Sequence, residues 1–207
     1  MFWLRFLQLQ AGLILYGVSM ALMLRANLGL NPWDVFHEGV AMRTGWSFGT
    51  VTIVVGAFVL LLWLPLRQKP GIGTISNIIM IGLSVDAALW LVTTPEGYAA
   101  RLVMLLSGII LCGAAGGAYI GAGLGPGPRD GLMTGFVRVS GLSIRLVRTL
   151  IELAVLVVGW LLGGTIGLGT VLFAVGIGWV VQFFLPVFTI ADRPSRTRPA
   201  RLEEEPI

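Results

Sequence analysis

A stretch of seven residues, Leu28-Gly-Leu-Asn-Pro-Trp-Asp34, returns 96 residues later as Leu124-Gly-Pro-Gly-Pro-Arg-Asp130, with Leu, Gly, Pro and Asp in the same places. The register around it holds without a gap. Arg5 falls on Arg101, Gly12 on Gly108, Gly17 on Gly113, Gly39 on Gly135, Gly45-Trp-Ser47 on Gly141-Leu-Ser143, and Gly71-Ile-Gly-Thr74 on Gly167-Leu-Gly-Thr170. Residues 5–90 set against 101–186 give 25 identities in 86 pairs, against about 7 expected from composition alone, which defines an internal repeat. Whatever the fold is, it has to be built twice.

What is repeated is apolar. The chain is 56% hydrophobic and 12% charged, with mean hydropathy +0.90, against about 25% charged for a soluble domain. Six spans are expected near residues 3–24, 47–65, 73–92, 101–121, 146–163 and 169–190, each near the ~20 residues that a hydrocarbon core of ~30 Å demands. The first is not read as a signal peptide. It is too long for an h-region, no small-residue cleavage site follows, and its repeat partner at 101–121 lies deep in the chain. The 29 glycines suit close helix contact in a bilayer. Gly113, Gly117 and Gly121, four apart, form one such face, for a neighbouring span or for a second copy in a homo-oligomer. The single cysteine, Cys112, excludes an internal disulfide.

Basic residues fix an expected orientation. With six spans, one side holds Arg5, Arg67, Lys69, Arg129, Arg138, Arg145, Arg148, Arg193, Arg196, Arg198 and Arg201, and the other only Arg25, Arg43 and Arg101. Eleven against three places both termini in the cytoplasm by the positive-inside rule, and the same count explains the basic pI without nucleic acid. Each repeat (about 5–90 and 101–186) holds an odd number of spans, so the second copy enters the membrane from the opposite side. Inverted repeats of this kind build many secondary transporters, with the site near the midplane between the copies. Residues 1–190 then form one membrane domain. The tail 191–207, basic and Pro-rich before Glu203-Glu-Glu205, has no apolar face to bury and is expected to be disordered in the cytosol.

Within the repeated motif Asn31 is a good N-cap, Pro32 a good first helical residue and Asp34 the third, so a short helix is expected from Pro32 to about Arg43. In the second copy Gly127 replaces the cap while Pro128 and Asp130 keep their places. Each aspartate either complements its helix dipole or, with Gly29 and Gly125 breaking the chain before it, lines a cavity at membrane depth, where broken helices are tolerated. Asp34, His37 and Glu38 share one face of the first short helix and Trp33, Phe36 and Val40 another. That pattern also fits a helix lying at the interface. Asp34, His37 and Glu38 are metal-ligating residue types, but three within five positions and no second cluster do not make a site, and His37 and Glu38 become Met133 and Thr134 in the second copy. No metal or cofactor is expected.

Ionisable residues inside spans are few, and a charge at the bilayer centre costs at least ~2.5 kcal/mol, so each is a functional candidate. Asp86 lies in the third span with Gln182 as its repeat partner, and no ionisable neighbour accompanies it in sequence. Glu152 lies in the fifth, where Arg148 one turn earlier offers a partner. Enzyme signatures are missing: there is one histidine, no P-loop and no metalloprotease motif. Gly71-Ile-Gly-Thr74 and Gly167-Leu-Gly-Thr170 are too short to cradle phosphate and read as span starts.

With the paired Leu-Gly-x-x-Pro-x-Asp motifs, the Gly-x-Ser steps and the Gly-x-Gly-Thr turns, the chain resembles the YczE-like bacterial integral membrane proteins, more distantly grouped with YitT-type proteins, over about residues 5–190. That resemblance implies a multi-pass protein of the bacterial cytoplasmic membrane and brings no substrate. The expectation is an all-α polytopic membrane protein of six helices in two inverted three-helix repeats, each with a short broken or interfacial helix after its first span. It acts as a small transporter or permease, proton- or cation-coupled. Asp34, Asp130, Asp86 and Glu152 are the candidate substrate or ion residues. Asn31, Pro32, Gly127, Pro128, Gly29 and Gly125 shape the motif, and His37, Glu38, Arg129 and Gln182 stand behind them. The alternative is a non-transporting accessory protein that docks a partner through loop 122–145 and the arginine-rich tail.

Overall fold

The computed structural model describes residues 1–190. Among these, eight helices and no strand are present: α1 Phe2–Ala26, α2 Pro32–Thr44, α3 Phe48–Trp63, α4 Ile72–Leu91, α5 Tyr98–Gly121, α6 Pro128–Ser140, α7 Ile144–Leu161 and α8 Leu168–Phe188. The tail 191–207 lies outside the described residues. The starts of α2, α3 and α4 and the end of α2 recur at the same 96-residue spacing in α6, α7, α8 and the end of α6. Local chemistry sets these boundaries. Asn31 Oδ1 accepts from Asp34 N at 3.0 Å, and Ser47 and Ser143 cap α3 and α7. Thr74 Oγ1 and Thr170 Oγ1 accept from Gly71 N and Gly167 N at the starts of α4 and α8. Gly45 (φ 73°) and Gly141 (φ 71°) end the two short helices in the left-handed region that glycine enters without strain.

Not all six expected spans are equally qualified to cross. Helices α1, α4, α5 and α8 are long and apolar enough individually, and α2 with α3, bent by 113°, would make a fifth. Helix α3 has only 16 residues, about 24 Å at 1.5 Å per residue. Helix α7 carries Arg145, Arg148 and Glu152 in its first half. The expected spans 47–65 and 146–163 lie within two residues of both helices at each end, and the charges of the second were read from the sequence, but the shortness of the first was not.

Helices α1 and α5 form the centre, with Leu9, Leu13, Met20, Leu105 and Ala115 fully buried. A methyl at Gly12 would come within 2.9 Å of the Tyr119 backbone nitrogen, so the two backbones are in near contact. Helix α4 packs on α1 and α8 on α5, the latter through Gly113, Gly117 and Gly121 against Val180, Phe184 and Phe188. The glycine face read from the sequence is therefore used within the chain.

The short helices then cross over. Helix α2 of the first half packs on α7 of the second, and α6 packs on α3. The breaks before them cross as well: Gly169 N donates to Leu28 O at 2.7 Å, and Gly73 N donates to Leu124 O at 2.9 Å. Helix α2 does not lie along the outside as an interfacial helix would, because Trp33, Asp34, Val35, His37 and Gly39 are all buried. The outside is apolar instead. On α8 Val171, Val175, Trp179, Phe183 and Val187, four apart, are each 59–76% exposed, and Ile75, Ile79, Leu83 and Leu91 repeat the stripe on α4. Water does not tolerate such stripes and lipid does.

Candidate functional site

The starts of α2 and α6 meet between the two halves, and polar side chains gather there. Two adjoining cavities flank the meeting point. The smaller, of about 100 Å³, is lined by His37, Thr52, Asn77 and residues 127–130, among others. The larger, of about 330 Å³, runs from Asn31 and Met133 past Arg148 and Glu152 of α7 to Phe173, Ile177, Val181 and Gln182 of α8. Tyr16, Trp33, Tyr119, Arg129 and Asp130 line both.

The two aspartates of the motif are held differently. Asp34 is fully buried. Its Oδ2 accepts from Asn31 Nδ2 at 2.5 Å while its own N–H donates to Asn31 Oδ1, a reciprocal cap. Its Oδ1 has no hydrogen bond and lies 3.8 Å from Arg129 Nη2 and 3.7 Å from His37 Nδ1. Asp130 Oδ2 accepts instead from Tyr119 Oη at 2.7 Å, and Tyr16 packs edge-on against the Tyr119 ring. Gly127 offers no side chain to cap α6. A Cβ there would stand 3.1 Å from Asp130 Oδ2, 3.4 Å from Tyr119 Oη and 3.5 Å from Asn77 Nδ2. The volume that Asn31 fills in the first copy is thus part of the smaller cavity's wall in the second.

Arg129 is the cation at the centre. Its guanidinium lies 4.8 Å from the centroid of Trp33, a cation–π distance, and its side chain is 29% exposed. Among the described residues it makes no hydrogen bond, only the loose approach to Asp34. A guanidinium carries five donors, so most of its capacity faces the cavity.

The remaining sequence candidates separate. Glu152 accepts from Arg148 Nε at 2.9 Å, the expected pair, and both line the larger cavity together with Gln182. Asp86 does not join them. It accepts from Ser47 Oγ at 2.6 Å and Gly49 N at 2.7 Å, and so caps α3. Its partners are 37 and 39 residues away in sequence, which is why the neighbourhood along the chain showed none. Glu38 accepts from Thr165 N at 2.6 Å and ties α2 to the turn before α8. Among the described residues no group of three or more His, Cys, Asp or Glu is placed to hold a metal. Sequence reasoning passed over Tyr16, Tyr119 and Trp33. The available signal was that two of the chain's three tyrosines sit inside apolar runs, where a buried hydroxyl needs a partner.

A helical bundle with apolar outer stripes, several helices long enough to cross a bilayer, and polar side chains converging inside defines a polytopic membrane protein. The chain belongs to DUF6198, described as a family of unknown function, which matches residues 3–186. It is 41% identical over 175 residues to an uncharacterized protein of Haemophilus influenzae, covering 84% of this chain and 80% of that one. It is 36% identical over 179 residues to the uncharacterized membrane protein YczE of Bacillus subtilis (85% and 83% covered) and 23% identical over 180 residues to the uncharacterized protein YyaS of the same organism (85% and 90%). The YczE-like resemblance read from the motifs stands. No solved structure matches.

Proposed function

We propose that the protein is a small transporter or permease of the bacterial cytoplasmic membrane, without enzymatic activity, crossing six times as two inverted repeats with both termini in the cytoplasm. The observation that carries this reading is that each repeat delivers the start of one broken helix to the larger cavity between the halves, Asn31, Pro32 and Trp33 from the first copy and Arg129 and Asp130 from the second. A compact bundle with no passage to make has no need of Arg129, Asp130, Arg148 and Glu152 gathered around one cavity among apolar helices, since a charge at membrane depth is a cost even when part-exposed. Rocking of one half against the other would expose that cavity alternately to the two sides. The crossed contacts of α2 with α7 and α6 with α3 supply the surfaces on which the halves move. Asp130 and Glu152 supply the larger cavity's carboxylates, Asp34 stands behind Arg129 at 3.8 Å, and exchange of the Arg148 contact of Glu152 would be the step that couples a proton or cation. The accessory alternative loses ground because residues 128–140 of its docking loop are folded as α6 against α3.

The test is site-directed labelling in a Cys112→Ala background. Met133→Cys, on the larger cavity, should react with a membrane-impermeant maleimide in both right-side-out and inverted vesicles, and reporters on the two termini should lie on the same side. Labelling from one side only would overturn alternating access, and termini on opposite sides would overturn the six-span scheme.

A further inference from the structure

The two halves are closed to different degrees along the seam between their last two helices. In the first half α3 packs on α4, with Gly49 against the Gly82 carbonyl and Ile53 over Gly82. In the second half the equivalent helices, α7 and α8, do not pack side by side. The sequence explains why. Arg145 holds the register of Gly49, and Thr149 that of Ile53, so the close glycine contact is lost. Gly178, the counterpart of Gly82, has nothing within 4 Å of where a Cβ would stand, and it borders the larger cavity. The gap is lined by Ile151 of α7 and Phe173, Ile177 and Val181 of α8, and it leads inward to Arg129.

We propose that the larger cavity opens sideways to the lipid between α7 and α8 and takes an anionic amphiphile, its headgroup on Arg129 and its chain in the α7–α8 gap. It rests on this cavity being the ligand site of the transport reading and adds the ligand's class. The sign of the headgroup follows from which charges are already engaged. Glu152 is paired with Arg148, Asp130 holds the Tyr119 hydroxyl, and Asp34 is held by Asn31 and lines neither cavity. The Arg129 guanidinium makes no hydrogen bond and only a loose 3.8 Å approach to Asp34 Oδ1, so its donors are open to a headgroup, and the start of α6, which has Asp130 in its first turn but no side-chain cap, lies beside it. A chain entering from water would meet an apolar wall that an acyl chain entering from the bilayer matches.

Native mass spectrometry of the purified full chain in neutral detergent, titrated with dodecyl phosphate, reads this directly. One dodecyl phosphate should be retained per protein. Dodecyltrimethylammonium should bind far more weakly, and inorganic phosphate should not compete. Arg129→Gln should weaken retention by at least about tenfold, the loss expected for one charge-assisted contact. Gly178→Phe should fill the gap and weaken it severalfold without lowering the melting temperature. Equal binding of the cationic amphiphile, or competition by inorganic phosphate, would overturn an anionic-lipid site in favour of surface coating or of a free-oxyanion site. Wild-type retention by both variants would overturn the location. No flux is measured, so failure here leaves two-sided labelling at Met133→Cys untouched, and failure of that labelling leaves lipid retention untouched.

Discussion

The two copies of the repeat solve one packing problem with opposite residue sizes. Where α6 crosses α3, Gly131 lies against the buried ring of Trp63, whose Nε1 donates to Pro128 O at 3.0 Å. Where α2 crosses α7, the same two positions are Val35 and Gly159, and the backbone of Val35 and Phe36 settles onto the glycine. Large against small has become small against large. The larger partner has moved from the long helix to the short one, but valine is much smaller than tryptophan, so the α2–α7 crossing holds less side-chain volume and keeps its close packing by bringing the backbone of Val35 and Phe36 onto Gly159. The caps and the outer seams diverge in the same way, Asn31 against Gly127 and a sealed α3–α4 against an open α7–α8.

The sharpest way to break the comparison is at the crossings. Trp63→Gly should cost about 4 kcal/mol as a cavity, and Gly131→Val about 3 kcal/mol as an overpacked contact. The double substitution, which copies the small-for-large arrangement of the other crossing, should recover part of that sum. A double-mutant cycle on thermal unfolding in detergent checks it, and strict additivity would mean that the two residues do not share the contact. Next come the seams. Gly82→Leu should destabilise by about 3 kcal/mol because backbone lies in its way, whereas Gly178→Leu should change stability by no more than about 0.5 kcal/mol. Equal effects would show that the α7–α8 gap closes in the membrane. The caps should follow. Asn31→Gly leaves a buried carboxylate oxygen without its donor and should cost about 2 kcal/mol. Gly127→Asn should be neutral within about 0.5 kcal/mol while shrinking the smaller cavity. The smallest contrast is Asp86→Ala, about 1 kcal/mol for a lost cap on α3, against Gln182→Ala, within about 0.5 kcal/mol. Melting curves of the paired variants order all of these.

What was legible in the sequence was local or duplicated. Asn31-Pro32 before Asp34, Ser47 and the Gly71-x-Gly-Thr74 turn each specify a helix start within four residues, and the 96-residue register carried every such assignment to the second copy. The Arg148–Glu152 pair was legible because it lies one turn apart on one helix. The contacts that make the site join distant stretches and leave no spacing to read. Arg129 reaches Trp33 and Asp34 across nearly a hundred residues, Asp86 finds Ser47 across 39, and Tyr119 serves Asp130 around a turn. Odd spans per repeat say that the halves relate to one another. They do not say that the short helices exchange sides.

That exchange has a consequence for the order in which the protein can be made. Helix α2 emerges early, yet the surface it rests on comes late: the Arg43 guanidinium bonds Leu162 O, 119 residues downstream. At a synthesis rate of about 5–20 residues per second, α2 waits on the order of 6–24 s for that partner. During that interval the buried carboxylate and imidazole of Asp34 and His37 have no second half to cover them. The first half is therefore a translation intermediate with an unfinished polar face, and insertion machinery that holds nascent helices together until α7 arrives would be expected to govern the yield of this protein.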